Sequence, residues 1–451
     1  MTVGRRGVIY LSFEAWSADG AANATLIAGR RGGWSQYMAQ NNPTNAQPGS
    51  HTGSGRAPGA PPARPRILWF QNTPDHYFVQ MLDALNAGGD FEYFAVFLCA
   101  PPAGNVLYQL PAIAPYKFLG DPAAPAGKRR MIRGARDFIA SMQFSGAIAV
   151  GYDTGFKRWV LRHCRRCGIP AAMFADSNIR GERGRGLKKR AKRLVKRVFL
   201  RWVIHHVDAV IPCNRSGVAY WRYYGCPREK IIRSTYYCAV DADAAKSADR
   251  GELFRRYGLD PTSRLIFTAA RLIPAKALHL MVDAFKASGL PEQGWVWAVA
   301  GAGPLREELE ARAGKYNGTS IRFLGPVPPV DVSALMAQGE LFVLPSTYEP
   351  HGIVVMESMA VGTPVIASDC CGAARDLVRK GVTGWMFRSG DAADLQRVLL
   401  PACGTPDAVR RVSAACRENF YCWYGRYGPL VVVPAVARRF AASHRQRGPG
   451  P

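Results

Sequence analysis

The stretch EPHGIVVMESMAVGTPVIAS carries two carboxylates, Glu349 and Glu357, separated by seven residues. The apolar spacing after Gly352 predicts a helix through Val361, with Glu357 inside it and Glu349 in the loop before it. A helix N-terminus presents unbonded N–H groups and a positive dipole, which suit a pyrophosphate. Gly352 lets the backbone approach closely. One segment can therefore hold a diphosphate on backbone donors with a carboxylate on each side, one accepting from ribose hydroxyls and the other from sugar hydroxyls.

Upstream, the loop RLIPAK places Arg271 and Lys276 just after a predicted strand. Two cations there would face the same cleft and neutralise a leaving diphosphate as its charge develops. The sequence offers no acidic pair poised to hold a divalent metal. The nearest match, Asp241 and Asp243, falls in a polar stretch, Asp241 to Gly251, expected as an interdomain linker. Positive side chains are thus expected to do a metal's work. Gly301 and Gly303, in WVWAVAGAG, read as turn residues.

These groups need a scaffold that brings strand ends together. Strand-like runs at Ile67–Phe70, Phe91–Ala100, Ala147–Gly151, Ile169–Ala175 and Asp208–Cys213 alternate with helical segments. A second alternation follows at Arg264–Ala270, Trp295–Gly303, Ile321–Gly325, Leu341–Ser346, Pro364–Ser368 and Trp385–Phe387. Such alternation predicts parallel βαβ units in two doubly wound halves, with ligand beyond the C-terminal strand ends. The expected division is a disordered extension over residues 1–65, rich in Asn, Pro, Gly and Ser, one domain over 66–245, a second over 246–415, and C-terminal helices over 416–451.

The chain has 451 residues, 48% of them hydrophobic, enough for two cores. No apolar run is long enough to span a bilayer, and the N-terminus lacks a convincing signal peptide, so a soluble, cytoplasmic protein is expected. The 11 cysteines show no secreted-scaffold rhythm. Cys164 and Cys167 form a lone CxxC, without the second ligand pair a zinc site needs. The net charge of +26 points to polyanionic neighbours.

Five pieces in order, AARLIPAKAL, VAGAGPLREELE, IRFLGPV, LFVLPSTYEPHGIVVMESMAVGTPVIASDCCGAARDLV and GVTGWMF, resemble the donor domain of glycosyltransferase family 4, which is glycogen-synthase-like. The resemblance covers about residues 264–400. It implies a GT-B fold, two Rossmann-like domains facing a cleft, and a retaining transfer that needs no metal or other cofactor. It implies that Arg271 and Lys276 bind the donor diphosphate, Glu357 the ribose and Glu349 the transferred sugar. The backbone of His351, Gly352, Ile353 and Val354 would meet sugar and phosphate, and Gly301 and Gly303 would turn tightly near the donor. The loop after Phe323–Gly325 would lie beside the base. The family often has Gly after the loop lysine; here Ala277 stands there, and little effect is expected because Ala can occupy a helix start.

The N-terminal half resembles the family less, with QNTPDHY where many relatives carry a Gly-Gly loop. Asp176, in FADSNIRG, and His76 are candidate contacts there; the plainer readings are a helix N-cap for Asp176 and a turn residue or satisfied surface histidine for His76. The expected partners are a nucleotide sugar and a glycan or lipid-linked acceptor in cell-surface polysaccharide or glycolipid synthesis. Competing readings are a GT-B nucleotide-sugar epimerase, a phosphorylase (no pyridoxal-lysine motif is present), and a non-catalytic anion- or RNA-binding protein.

The segment Arg180–Arg201 holds 11 Lys or Arg and one acid. Leu187, Ala191, Leu194, Val198 and Trp202 recur at helical spacing, so this face of a helix near 186–205 is expected to pack while the other is cationic. The cationic face is either simply solvated or draws the protein to anionic lipid at the inner face of the plasma membrane. Nucleic acid is not expected, because interleaved stacking aromatics are absent.

Overall fold

A computed structural model of the chain describes residues 64–99, 110–119, 128–179, 186–404 and 406–447. The extension expected over residues 1–65 lies, but for its last two positions, outside the described residues.

The apolar runs form two six-stranded sheets in which every pairing is parallel. The first contains β1 (Arg66–Gln71), β2 (Glu92–Phe97), β3 (Tyr116–Phe118), β4 (Gly146–Val150), β5 (Ala171–Phe174) and β6 (Ala209–Ile211). Its spatial order is β3-β2-β1-β4-β5-β6. The second contains β7 (Arg264–Ala269), β8 (Trp295–Ala300), β9 (Ile321–Gly325), β10 (Leu341–Leu344), β11 (Val365–Ser368) and β12 (Gly384–Phe387), in the order β12-β11-β10-β7-β8-β9. Strands covered on both faces need apolar side chains at every position, not alternate ones. Ile67 through Phe70 and Leu341 through Leu344 are accordingly buried without interruption. Only β3, the three-residue edge strand YKF, has no counterpart among the sequence expectations.

In each sheet the strand order reverses at the first strand, between β1 and β4 and between β7 and β10. Right-handed crossovers on either side of that point put helices on both faces. The reversal also opens a crevice at the C-terminal ends of those strands. The β1 end leads into the helix His76–Ala87, the β7 end into the Arg271–Lys276 loop, and the β10 end into Ser346–Glu349.

The stretch expected as a linker, Asp241–Gly251, is not one. It forms the helix Ala242–Ser247 and opens the helix Arg250–Arg256, each capped by an aspartate, Asp241 and Asp249. Ala242, Ala245, Leu253 and Phe254 are buried in the core of the second domain. A charged surface masked two short amphipathic helices.

The C-terminal helices cross between the domains. Pro406–Tyr427 sends Val412, Cys416, Phe420 and Tyr424 into the second core. After Gly428, the helix Pro429–Arg447 places Val433, Val436, Ala437 and Phe440 in the first core.

The basic helix runs from Leu187 to His206. The face picked out by its periodicity packs at Trp202, which is half-buried against the first core, but not at Leu194 or Val198. Leu194 and Val198 are 66% and 67% exposed, while Leu200, Val203, Ile204 and Val207 bury instead. The side chain of Leu187 lies outside the described residues.

Candidate active site

The site is assembled by backbone contacts between loops before any charged group meets another. Ala275 O accepts from Thr347 N at 2.9 Å, docking the loop after β10 on the loop after β7. That contact pairs the Lys276 ammonium with the Glu349 carboxylate. Ser346 Oγ donates to the same oxygen of Glu349 at 3.3 Å. Glu349 is buried, so its charge is held by partners, not by water. Arg271, on the same loop as Lys276, is exposed and forms no ion pair with a described residue.

Gly301 and Gly303 support that loop. A Cβ on either would fall 2.1 Å from Ala270 O or 2.4 Å from Leu272 O. Only glycine lets the chain after β8 lie against Ala270–Leu272, where Leu272 N donates to Ala302 O at 2.9 Å. What the structure shows them touching is therefore the Arg271 loop. Ala277 has a left-handed backbone, φ 48°, alone among the described non-glycine residues. The helix Leu278–Lys286 starts from that conformation, so Ala277 is no ordinary helix start. Its Cβ carries strain of about 1–2 kcal/mol that glycine would lack.

The helix Ile353–Val361 begins at Gly352, φ 91°, where a Cβ would meet Cys371 Sγ at 2.7 Å. No side chain caps it, and Ile353 and Val354 at its first turn are half-buried. Its open end has the donors and dipole an anion requires. Glu357, one turn in, is half-buried, and burial lifts its carboxyl to about 7, with a hydrogen bond from the Tyr77 hydroxyl opposing the rise. Tyr77 belongs to the other domain.

His351 is buried and stays neutral: burial, with Arg233 nearby, lowers its pKa to about 3. Asn214 Nδ2 donates to Pro350 O at 2.9 Å and lies 3.2 Å from His351 Nδ1, while Thr235 Oγ1 lies 3.3 Å from Nε2. Asn214 belongs to the first sheet's domain, so His351 sits where the domains meet. Beside it, Arg233 and Asp376 form a buried ion pair of 2.9 Å, with the guanidinium 3.8 Å from the Tyr427 ring centre.

Asp176 is buried, follows β5 and receives the Tyr236 hydroxyl. Tyr236 in turn packs on His351, ring centres 5.0 Å apart. Asn178, two residues on, donates across the domains to Cys370 O at 3.3 Å. His76 opens its helix behind the cap Asp75 and lies against the Tyr77 ring.

The structure thus brings Lys276 to Glu349, sets Gly301 and Gly303 under the Arg271 loop, and links Asp176 to His351 through Tyr236. Tyr77, Asn214, Thr235 and the Arg233–Asp376 pair escaped the sequence reading. Tyr77 adjoins the noted His76, which was its one available signal. Among the described residues no cluster of three or more His, Cys, Asp or Glu could hold a metal ion.

This arrangement lines a crevice between two doubly wound domains, and comparison gives it a class. Residues 249–415 match the family model for glycosyl transferases group 1. The chain is 32% identical over 181 residues to the alpha-D-kanosaminyltransferase of Streptomyces kanamyceticus, covering 39% of this chain and 46% of that protein. It is 29% identical over 258 residues to the glycogen synthase of Mycobacterium tuberculosis, covering 55% and 58%. It is 31% identical over 218 residues to the amylovoran biosynthesis glycosyltransferase AmsK of Erwinia amylovora, covering 46% and 51%. The chain spans about half the length of these curated relatives.

The fold is the GT-B fold of glycosyltransferases. Anabaena HepE, solved with UDP and glucose, superposes with a TM-score of 0.63 at 16% identity, over 84% of this chain and 100% of that one. The sucrose-phosphate synthase of Thermosynechococcus elongatus gives 0.64 at 18% identity, over 85% and 99%.

Proposed function

We propose that this protein is a retaining glycosyltransferase of family 4. It moves a hexosyl-type sugar from a nucleotide-diphosphate sugar to a glycan or lipid-linked acceptor, in cell-surface polysaccharide or glycolipid synthesis. The observation that carries the reading is the Lys276–Glu349 pair, set between the exposed Arg271 and the uncapped helix at Gly352. HepE, of the same fold, was solved with UDP and with UDP-glucose, which supports a nucleotide sugar as donor.

In this reading Arg271, Lys276 and the helix end hold the diphosphate and stabilise its charge as the glycosidic bond breaks. Donor binding draws Lys276 away from Glu349, freeing that carboxylate to accept from sugar hydroxyls. Glu357 accepts from the ribose. His351, Gly352, Ile353 and Val354 offer backbone groups to sugar and phosphate, and Asp176 faces the transferred sugar from the acceptor side. The acceptor hydroxyl attacks on the face from which the diphosphate leaves, and a diphosphate oxygen takes its proton. Two cations standing where another enzyme would place a metal support a metal-independent step. All eleven cysteines are unpaired, in keeping with the reducing cytoplasm.

The test is a panel of UDP-, GDP- and ADP-sugars with chelator present, the product's anomeric configuration read by NMR. Transfer with retention is expected. Absence of transfer and of donor hydrolysis across the panel, or inversion, would overturn the reading.

A further inference from the structure

The helix Leu187–His206 bears two apolar faces, and among the described residues only one is packed against the core. Leu200, Val203, Ile204 and Val207 hold it to the first sheet's domain. At about 100° per residue, Ala191, Leu194, Val195 and Val198 fall on the opposite side of the helix. They are bare: Leu194 is 66% exposed, Val195 71% and Val198 67%. Exposed cations line both margins of this stripe, Arg190, Arg197 and Arg201 along one and Lys192 along the other.

The same surface continues on the neighbouring helices. Crossovers from β3 to β4, β4 to β5 and β5 to β6 all progress in one direction across the sheet, so their helices share one face. They are Lys128–Ser141, Gly155–Arg166 and Leu187–His206. Arginines and aromatic rings stitch them together: Arg136 lies 5.3 Å from the Trp159 ring centre and Arg162 5.7 Å from that of Trp202. The result is a cationic face with an apolar ridge.

We propose that this face docks on an anionic lipid bilayer, with Leu194, Val195 and Val198 entering the headgroup boundary and the flanking cations meeting lipid phosphates. The charge selects the occupant. A protein-binding helix face would not be expected to ring its apolar contacts with unpaired like charges, whereas an interfacial helix needs them to meet anionic headgroups. The net charge of +26 adds long-range attraction to the same target. The proposal goes beyond the assigned transfer and does not depend on it.

The experiment is vesicle co-sedimentation of the whole protein. Phosphatidylcholine vesicles with and without phosphatidylglycerol are compared, for wild type, the triple variant L194S/V195S/V198S, and R190E/K192E/R197E. Wild type is expected to bind only the anionic vesicles, and less as salt rises. Each variant is expected to lose about tenfold or more in affinity while keeping the wild-type melting temperature, since none of these side chains packs in the core. The idea is overturned if the serine variant binds anionic vesicles as wild type does, or if wild type ignores both vesicle types. It is also overturned if wild type prefers a single-stranded RNA to the vesicles and the serine variant retains that binding. No arm requires sugar transfer, so failure here is distinguishable from failure of the assigned activity.

Discussion

The Tyr77 hydroxyl, carried by the first helix of the N-terminal domain, donates a hydrogen bond to Glu357 of the C-terminal domain. In the proposed reading Glu357 accepts from the donor ribose, so nucleotide and tyrosine would seek the same acceptor. Removing the hydroxyl with Tyr77→Phe should tighten nucleoside diphosphate binding about three- to tenfold, the worth of one hydrogen bond, measured by calorimetry. Weaker or unchanged binding would show that Tyr77 does not compete.

Glu357 titrates near neutrality, and both consequences have a definite sign. Its carboxyl is raised to about 7 by burial. Because only the ionised form accepts from two ribose hydroxyls, donor affinity should rise between pH 5 and pH 8 with a midpoint near 7. The folded state binds this proton more tightly than the unfolded chain does. Its contribution to stability is therefore complete below the ordinary glutamate range and is lost as pH rises through 7. Glu357→Gln should flatten the affinity profile at its low end and raise the melting temperature more at pH 8 than at pH 5. A parallel shift at both pH values would contradict this.

The Lys276–Glu349 pair lets activity be separated from stability. Lys276→Ala should lower kcat by about a hundredfold or more, as loss of one charge-stabilising donor does. It also strands a buried carboxylate, costing up to about 3 kcal/mol. The double variant Lys276→Met with Glu349→Gln should recover most of the melting temperature and none of the turnover. Recovered turnover would remove both residues from the chemistry.

The buried Arg233–Asp376 pair joins the domains. Asp376→Asn leaves a buried guanidinium without its counter-charge and should destabilise by about 3 kcal/mol in urea unfolding. Adding Arg233→Met should restore part of that loss. Independent, additive effects would show that the pair is not coupled.

How much of this could be read beforehand follows from the range over which each signal acts. Uninterrupted apolar runs such as Ile67–Phe70 and Leu341–Leu344 announce buried parallel strands within a few residues, and their strands appeared where expected. Lys276 and Glu349 could be singled out because each sits in a local motif beside a strand end, and the structure pairs them. Tyr77–Glu357 and Arg233–Asp376 join partners far apart in the chain, and no spacing rule connects them. Periodicity failed on the basic helix for a different reason. It detects an apolar stripe but cannot tell which of two stripes meets the core, and here Leu200–Val207 prevailed over Leu194 and Val198. The left-handed backbone of Ala277 was not legible because φ is a property of the path, not of the residue type.

Phe440 lies against Gly146 so closely that a methyl group there would strike its ring at 2.5 Å. The sheet that is built first along the chain is thus finished by nearly its last turn of helix. During synthesis the leading half must wait, its apolar flank uncovered, until the trailing helix emerges. Dividing the gene between the two sheets would not yield two self-sufficient pieces: the leading fragment would carry an open seam that only residues beyond Gly428 can close.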